Sequence, residues 1–164
     1  KHLCGKYRKG HFLGVYKIIR ELFRIFHPDF ACFGKKDYQQ LLLIKYITKT
    51  FYPDIKIISV DTVRNKNNNA LSSRLNKLTP ESLKKAEMIY NSISMIKDKL
   101  HNGKNFEDIK KETYNFLEEN KISIEYIDHR SLISLEESHG KLLDSGIFIA
   151  CNIDGIRLID NIEI

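Results

Sequence analysis

Phe30-Ala31-Cys32-Phe33-Gly34-Lys35-Lys36-Asp37-Tyr38-Gln39-Gln40 is the stretch on which the fold turns. A short apolar run closes on a glycine, two lysines follow, and the aspartate opens a different periodicity. Such a run, bounded by Gly, reads as a buried strand. From Asp37 a helix is expected to run through Leu41, Leu42, Ile44, Tyr46 and Ile47. Upstream, Phe12, Val15, Tyr16, Ile19, Leu22, Phe23 and Phe26 recur at three- and four-residue spacing, with Lys17, Arg20, Glu21 and Arg24 opposite. That is one apolar face of a helix, which Pro28 ends because proline cannot donate and disfavours helical geometry before it. Downstream, Ile55-Lys56-Ile57-Ile58-Ser59-Val60 reads as the next strand. Helix, strand, helix, strand with short connections indicates a parallel α/β sheet.

The pattern changes after Val60. Residues 61–78 are polar and centre on Asn65-Lys66-Asn67-Asn68-Asn69. With so little apolar surface to bury, a mobile loop or hinge is expected there. Thr79-Pro80-Glu81 then supplies a cap residue and a first-turn proline for a helix reaching about Leu100, with Gly103 beyond it. Asn105 caps another helix, to Asn120. Residues 122–127 alternate as a half-buried strand. Residues 147–152 and 156–159 flank Asp154-Gly155, a strong hairpin signal. The expectation is therefore two domains: residues 1–62 as part of a parallel α/β nucleotide-binding domain, and 63–164 as a small α+β domain with an antiparallel element.

The chain has 164 residues, 42% hydrophobic and 29% charged, and no apolar run long enough to cross a membrane. It opens Lys1-His2-Leu3-Cys4, without an initiator Met or a signal-peptide stretch, so a processed or truncated chain is as consistent with it as a complete one. Lys and Arg number 27 against 21 Asp and Glu, a net charge of +6. That excess suits a nucleotide, a phosphate or a nucleic acid, and equally a merely solubilising surface. Cys4, Cys32 and Cys151 form an odd set without metal-ligand spacing. Cys32 and Cys151 lie in apolar runs, so buried reduced thiols in a cytoplasmic protein are expected.

Three stretches carry chemistry. In the first, Gly34 allows close backbone approach, Lys35 and Lys36 bring positive charge, and Asp37 can accept from ribose hydroxyls. Its place, a strand end opening a helix, is where parallel sheets bind phosphates. The same residues also read as a plain turn, with Asp37 and Gln40 forming a capping box. The second is Leu71-Ser72-Ser73-Arg74, whose hydroxyls and guanidinium suit a polyphosphate, or else a solvated loop with a serine cap. The third is Arg8-Lys9-Gly10-His11-Phe12. There His11 sits among basic residues that disfavour its charged form, as a substrate contact or only a helix-start residue. No metal-ligand spacing and no Ser–His or Cys–His nucleophile arrangement is present.

Taken in order, these stretches resemble the pantothenate synthetase (pantoate–β-alanine ligase) family. Its Arg-Pro-Gly-His-Phe-x-Gly-Val is here residues 8–15, and its Pro-Asp-x-x-x-Phe-Gly-x-Lys-Asp-x-Gln-Gln is residues 28–40 with every fixed position kept. Thr62-Val63-Arg64, Leu71-Ser72-Ser73-Arg74 and Ile156-Arg157-Leu158-Ile159-Asp160-Asn161 match three further segments. Lys9 stands for the usual Pro, Leu75 for a usual Asn, and the Asn-rich run for a Glu/Asp–Gly turn. The family's His-x-Gly-His, which stabilises the adenylation transition state, occurs nowhere in the chain.

The resemblance implies the C-terminal part of a Rossmann-like nucleotidyltransferase domain followed by a small α+β lid domain. It implies ATP as substrate with Mg²⁺, pantoate and β-alanine as the other substrates, a cytoplasmic homodimer, and neither a nucleic-acid nor a membrane partner. By that likeness Gly34, Lys35, Lys36, Asp37, Val63 and residues 71–74 hold ATP, Lys36 and Arg74 stabilise charge, and Gln40 binds pantoate, with His11 as a further substrate contact. The implied reaction, a step of pantothenate and hence coenzyme A synthesis, passes through a pantoyl-adenylate. Without His-x-Gly-His the chain alone is expected not to be a competent enzyme. The alternatives are a nucleotidyltransferase adenylating another acid and a nucleic-acid-binding module. Against the latter, the aromatic residues are not interleaved with the basic ones as a stacking surface requires.

Overall fold

Residues 3–164 are described by the computed structural model, and the chain divides into two compact units, Lys1–Thr62 and Val63–Ile164. In the first, a single turn α1 (Cys4–Tyr7) precedes α2 (His11–Phe26), β1 (Phe30–Gly34), a 3-10 turn (Lys35–Asp37), α3 (Tyr38–Phe51) and β2 (Lys56–Val60). The strands pair in parallel, with Phe30 opposite Lys56 and Gly34 opposite Val60. Ile19 and Phe23 of α2 and Ile44 and Ile47 of α3 form the core, against Ala31, Phe33 and Ile57 of the sheet.

Strand parity explains one departure from the sequence reading. Successive side chains point to opposite faces, and the two helices cover only the face of Ala31 and Phe33. Phe30, Cys32 and Gly34 lie on the other, and Cys32 is exposed rather than buried. An uninterrupted apolar run does not by itself reveal which face is covered. The stripe on α2 behaves alike: Ile19 and Phe23 are buried, while Leu22 and Phe26 at its margin are exposed. Nor does the expected capping box form. Asp37 occupies the N-cap position of α3, yet its side chain makes no capping hydrogen bond.

The second unit holds α4 (Pro80–His101), α5 (Phe106–Glu119), β3 (Ser123–Ser131), β4 (Ser145–Ile153) and β5 (Ile156–Glu163), with a 3-10 turn at Leu75–Lys77. The strands form an antiparallel sheet in the order β3-β4-β5. Both helices pack on it through Ile93, Ile96, Ile109 and Leu117, against Ile127, Ile147, Ile149 and Cys151. The helix starts follow local chemistry. Thr79 Oγ1 accepts the Ser82 N–H at 3.2 Å, and Asn105 Oδ1 accepts those of Glu107 and Asp108 at 2.9 and 3.3 Å. Asp154 and Gly155 both take positive φ, 48° and 83°, as the tight β4–β5 turn requires. The Ser82 hydroxyl donates to the Asp154 carboxylate, tying that turn to the start of α4. Burial pushes the Cys151 thiol up to about 12, which makes it an inert core residue. Among the described residues no helix is long and apolar enough to cross a membrane.

Residues 61–78 are not the structureless hinge their composition suggests. Arg64 and Ala70 form an antiparallel bridge. Asn65 donates its N–H to the Asn69 carbonyl at 3.0 Å, and Leu71 donates to Val63 at 2.9 Å. The Asn65 side-chain carbonyl accepts the N–H groups of Asn67 and Asn69, each at 3.0 Å, while Asn68 takes the left-handed conformation at φ 62°. Asparagine orders a turn through its own amide, without apolar burial. A count of apolar residues misses this.

His129 of β3 is buried at 5% exposure beside the Phe106 ring. Its Nε2 lies 2.8 Å from Ser145 Oγ. That hydroxyl donates to the Leu142 carbonyl at 2.6 Å, so Nε2 carries a proton and donates to the Ser145 oxygen. Burial lowers the His129 pKa below its ordinary 6.5. The unfolded chain therefore binds the proton more readily than the folded one. The resulting stability is fully present above pH 6.5 and lost as pH falls toward the depressed folded value. Melting temperature should drop between about pH 7 and pH 5 in the parent protein, and the drop should shrink in His129→Gln. Parallel slopes for the two proteins would refute the assignment.

Candidate functional site

Because β1 and β2 are parallel, their C-terminal ends, Gly34 and Val60, lie side by side. Here the chain turns into the first turn of α3, where the N-cap residue Asp37 makes no side-chain capping hydrogen bond. Gly34 has an ordinary extended backbone, φ −74° and ψ 138°, which any residue adopts. A Cβ built on it meets nothing within 4 Å. Neither backbone strain nor crowding by the described residues calls for glycine here.

Two lysines stand at the same turn. Lys35 Nζ lies 2.8 Å from Asp61 Oδ1, just past the end of β2. Lys36 Nζ lies 3.9 Å from Asp37 Oδ2, with its side chain only 20% exposed. Lys36 is thus laid along the protein, next to the uncapped helix start. Gln40 is half-buried in the first turn of α3. His11 begins α2 after Gly10, whose φ of 77° sets the entry. Arg8 Nη1 lies 2.8 Å from His11 Nε2. A guanidinium only donates, so Nε2 accepts and the imidazole is held neutral, protonated on Nδ1.

The other predicted residues belong to the second unit. Val63 and Leu71 are joined by the 2.9 Å bond across the hairpin, and both are exposed, at 62% and 51%. Residues eight apart in sequence thereby make one apolar pair open to a flat ligand. Ser72 Oγ accepts the Arg74 N–H at 3.1 Å, opening the following 3-10 turn. Ser73 is exposed. Arg74 Nη1 donates to the Arg157 carbonyl of β5 at 2.9 Å. Both readings of the Ser-Ser-Arg stretch are visible: Ser72 is a local cap, and Arg74 has a single neutral acceptor.

Arg64, Asp160 and Tyr90 were not among the expected site residues. The guanidinium of Arg64 grips Asp160 at 2.6 and 2.9 Å and lies 4.0 Å from the Tyr90 ring centroid. Ninety-six positions separate the two charges, so local sequence carries no signal for the pair. The only hint was that each stands in a quoted motif.

The second unit also has a cavity of about 750 Å³, lined by Phe106, Lys110, Asp128, His129, Arg130 and Glu137 among others. None of the predicted residues lines it. Two of its cations are paired within it, Arg130 with Asp128 at 3.0 Å and Glu137 at 3.8 Å, and Lys110 with Asp128 at 3.7 Å, while Lys104 also lines it. No group of three or more His, Cys, Asp or Glu residues converges as a metal cage among the described residues.

Comparison with known proteins agrees with the order of the motifs. The pantothenate synthetase of Acinetobacter baumannii is 36% identical over 162 residues, covering 99% of this chain and 57% of that protein. That of Neisseria meningitidis is 37% identical over 163 residues, covering 99% and 59%. The chain thus spans less than two thirds of the length of these relatives. The crystal structure of Thermus thermophilus pantothenate synthetase superposes with a TM-score of 0.91 at 29% identity, covering 98% of this chain and 59% of that one. A Francisella tularensis pantoate–β-alanine ligase, solved in complex with β,γ-ATP and β-alanine, gives 0.74 at 31% identity, covering 99% and 54%. The family model described as pantoate–β-alanine ligase matches residues 1–163. With the fold, the glycine–lysine turn and the paired motifs all running in that family's order, the chain belongs to the pantoate–β-alanine ligase family.

Proposed function

We propose that this protein serves ATP-dependent ligation of pantoate and β-alanine to pantothenate. A pantoate carboxylate oxygen attacks the α-phosphorus of ATP, the bond to the β-phosphate oxygen breaks, and pyrophosphate leaves. The β-alanine amine, having lost a proton, then attacks the acyl carbon, and AMP leaves with the electron pair of the broken C–O bond. Neither step needs a protein nucleophile, so orientation and charge neutralisation carry the chemistry.

In this reading ATP arrives as its Mg²⁺ complex. Magnesium is commonly held by substrate phosphates and water rather than by an all-protein cage. The α3 start with Gly34, Lys35, Lys36 and Asp37 takes the nucleotide of the Mg·ATP complex, with Lys36 reaching its phosphates. Val63 and Leu71 offer the base an apolar surface. Ser72, Ser73 and Arg74 take the triphosphate, while Gln40 and the neutral His11 take pantoate. The protein acts as a cytoplasmic homodimer. One observation carries the reading: Gly34 has no steric or conformational reason within the described chain to be glycine, and stands where a parallel sheet receives phosphate.

That observation separates folding from binding. Gly34→Ala should leave melting unchanged or raise stability by about 0.4–1 kcal/mol, since alanine restricts only the unfolded chain. It should weaken Mg·ATP binding about tenfold or more, because the methyl occupies ligand space. Calorimetric titration with Mg·ATP decides; unchanged affinity would remove the nucleotide from this turn. Arg74→Ala gives up a charge-assisted contact to phosphate for the loss of one neutral hydrogen bond. In a form of the protein that carries the family's His-x-Gly-His segment, pantoate-dependent exchange of pyrophosphate into ATP should fall about ten- to a hundredfold. Aminolysis of supplied pantoyl-adenylate should hold, and an equal loss in both half-reactions would assign Arg74 another role.

A further inference from the structure

We propose that Arg64 is the positioning residue for residues 71–74, acting on the nucleotide through the chain it holds rather than by touching it; this rests on the nucleotide reading above. Arg64 Nη1 donates to Asp160 Oδ2 at 2.6 Å and to the Asn68 carbonyl at 3.0 Å. Nη2 donates to Asp160 Oδ1 at 2.9 Å and to the Asn161 carbonyl at 3.2 Å. Tyr90 of α4 covers one face of the guanidinium. The acceptor is fixed in turn, since Asp160 Oδ1 also takes the Asn161 N–H at 2.8 Å and the residue is 5% exposed. One side chain therefore ties the hairpin to strand β5 and to helix α4 at once.

Arg64 is itself bridged to Ala70, so the path of the chain at Leu71 follows from where the guanidinium sits. The Val63–Leu71 pair closes the hairpin, and Ser72 begins the next turn from that fixed point. Arg64 is the anchor and the short segment after Leu71 is what it aims. Lysine cannot replace it, because an ammonium lacks the planar fork that meets both carboxylate oxygens. The main helical core of the unit, around Ile93, Ile96 and Ile149, is built from other residues. Loosening the anchor should blur the aim of the hairpin more than it unfolds the unit.

The test uses Arg64→Lys and, as a variant that keeps the side-chain shape on the acceptor side, Asp160→Asn. Hydrogen exchange at the Asn65, Asn69 and Leu71 amides reads the anchor without nucleotide. Both variants should speed it by about tenfold or more. In the exchange of pyrophosphate into ATP by a form of the protein that carries the family's His-x-Gly-His segment, KM for Mg·ATP should rise about tenfold while kcat at saturating ATP stays within about twofold. A purely structural role predicts the opposite split: lower melting temperature and less active protein, with KM unchanged. That result, or unchanged amide exchange in both variants, overturns the proposal. A parent protein that does not bind Mg·ATP sinks the nucleotide reading and this inference with it. A parent that binds normally beside variants that bind equally well sinks only the role of Arg64.

Discussion

A guanidinium withdrawn from water is tolerable only where a carboxylate and carbonyls take over its hydration, and the second unit is arranged around one such exchange. Arg64 is 17% exposed and Asp160 4%. Desolvating such a pair costs roughly what their attraction returns, so the pair is a poor source of net stability. What it supplies is uniqueness. An arrangement without the contact would leave both charges short of partners in a largely dry setting, so it is disfavoured. The contact joins positions 96 apart, so the hairpin takes its place only once β5 is paired into the sheet. Tyr90 brings in α4 as the third wall.

The first unit poses the reverse electrostatic problem. At its strand ends two half-buried lysines collect positive charge, and each stands beside a carboxylate, Lys35 by Asp61 and Lys36 by Asp37. Asp61 is 88% exposed and Asp37 54%, so water screens both pairs. A polyphosphate bringing several charges to the uncapped start of α3 competes on favourable terms, because helix N–H groups and ammonium groups then act on it together. Had Asp37 capped the helix, its carboxylate would already occupy some of those donors.

What the sequence disclosed follows the range of the interactions involved. The α2 and α3 faces, the Thr79 and Asn105 caps and the Asp154-Gly155 turn are set by residues within four positions of one another, and each was legible. The exposure of Cys32 was not, because parity assigns it a face but only tertiary packing decides which face is covered. The order of residues 65–69 was missed for a different reason. Apolar counting ignores an asparagine amide that satisfies two backbone N–H groups by itself. At the candidate site the glycine–lysine turn and the Ser-Ser-Arg segment were readable as motifs. The Arg64–Asp160 anchor was not, since nothing within a dozen residues of either charge points to its partner.

The two arginines of the hairpin region differ in what it takes to release them. Arg74 gives β5 one hydrogen bond, to a neutral carbonyl. A phosphate offers the same guanidinium an ionised acceptor that can take two parallel N–H bonds, so one contact is all that must be released for a stronger one. Arg64 has no such trade available. Its two carboxylate bonds, two carbonyl bonds and aromatic face must all be given up for any new partner. A ligand that draws Arg74 away therefore leaves Arg64 where it is. In the nucleotide reading, the segment between them can respond to a triphosphate without the hairpin coming undone, because Arg74 has one hydrogen bond to release and Arg64 has four and an aromatic face.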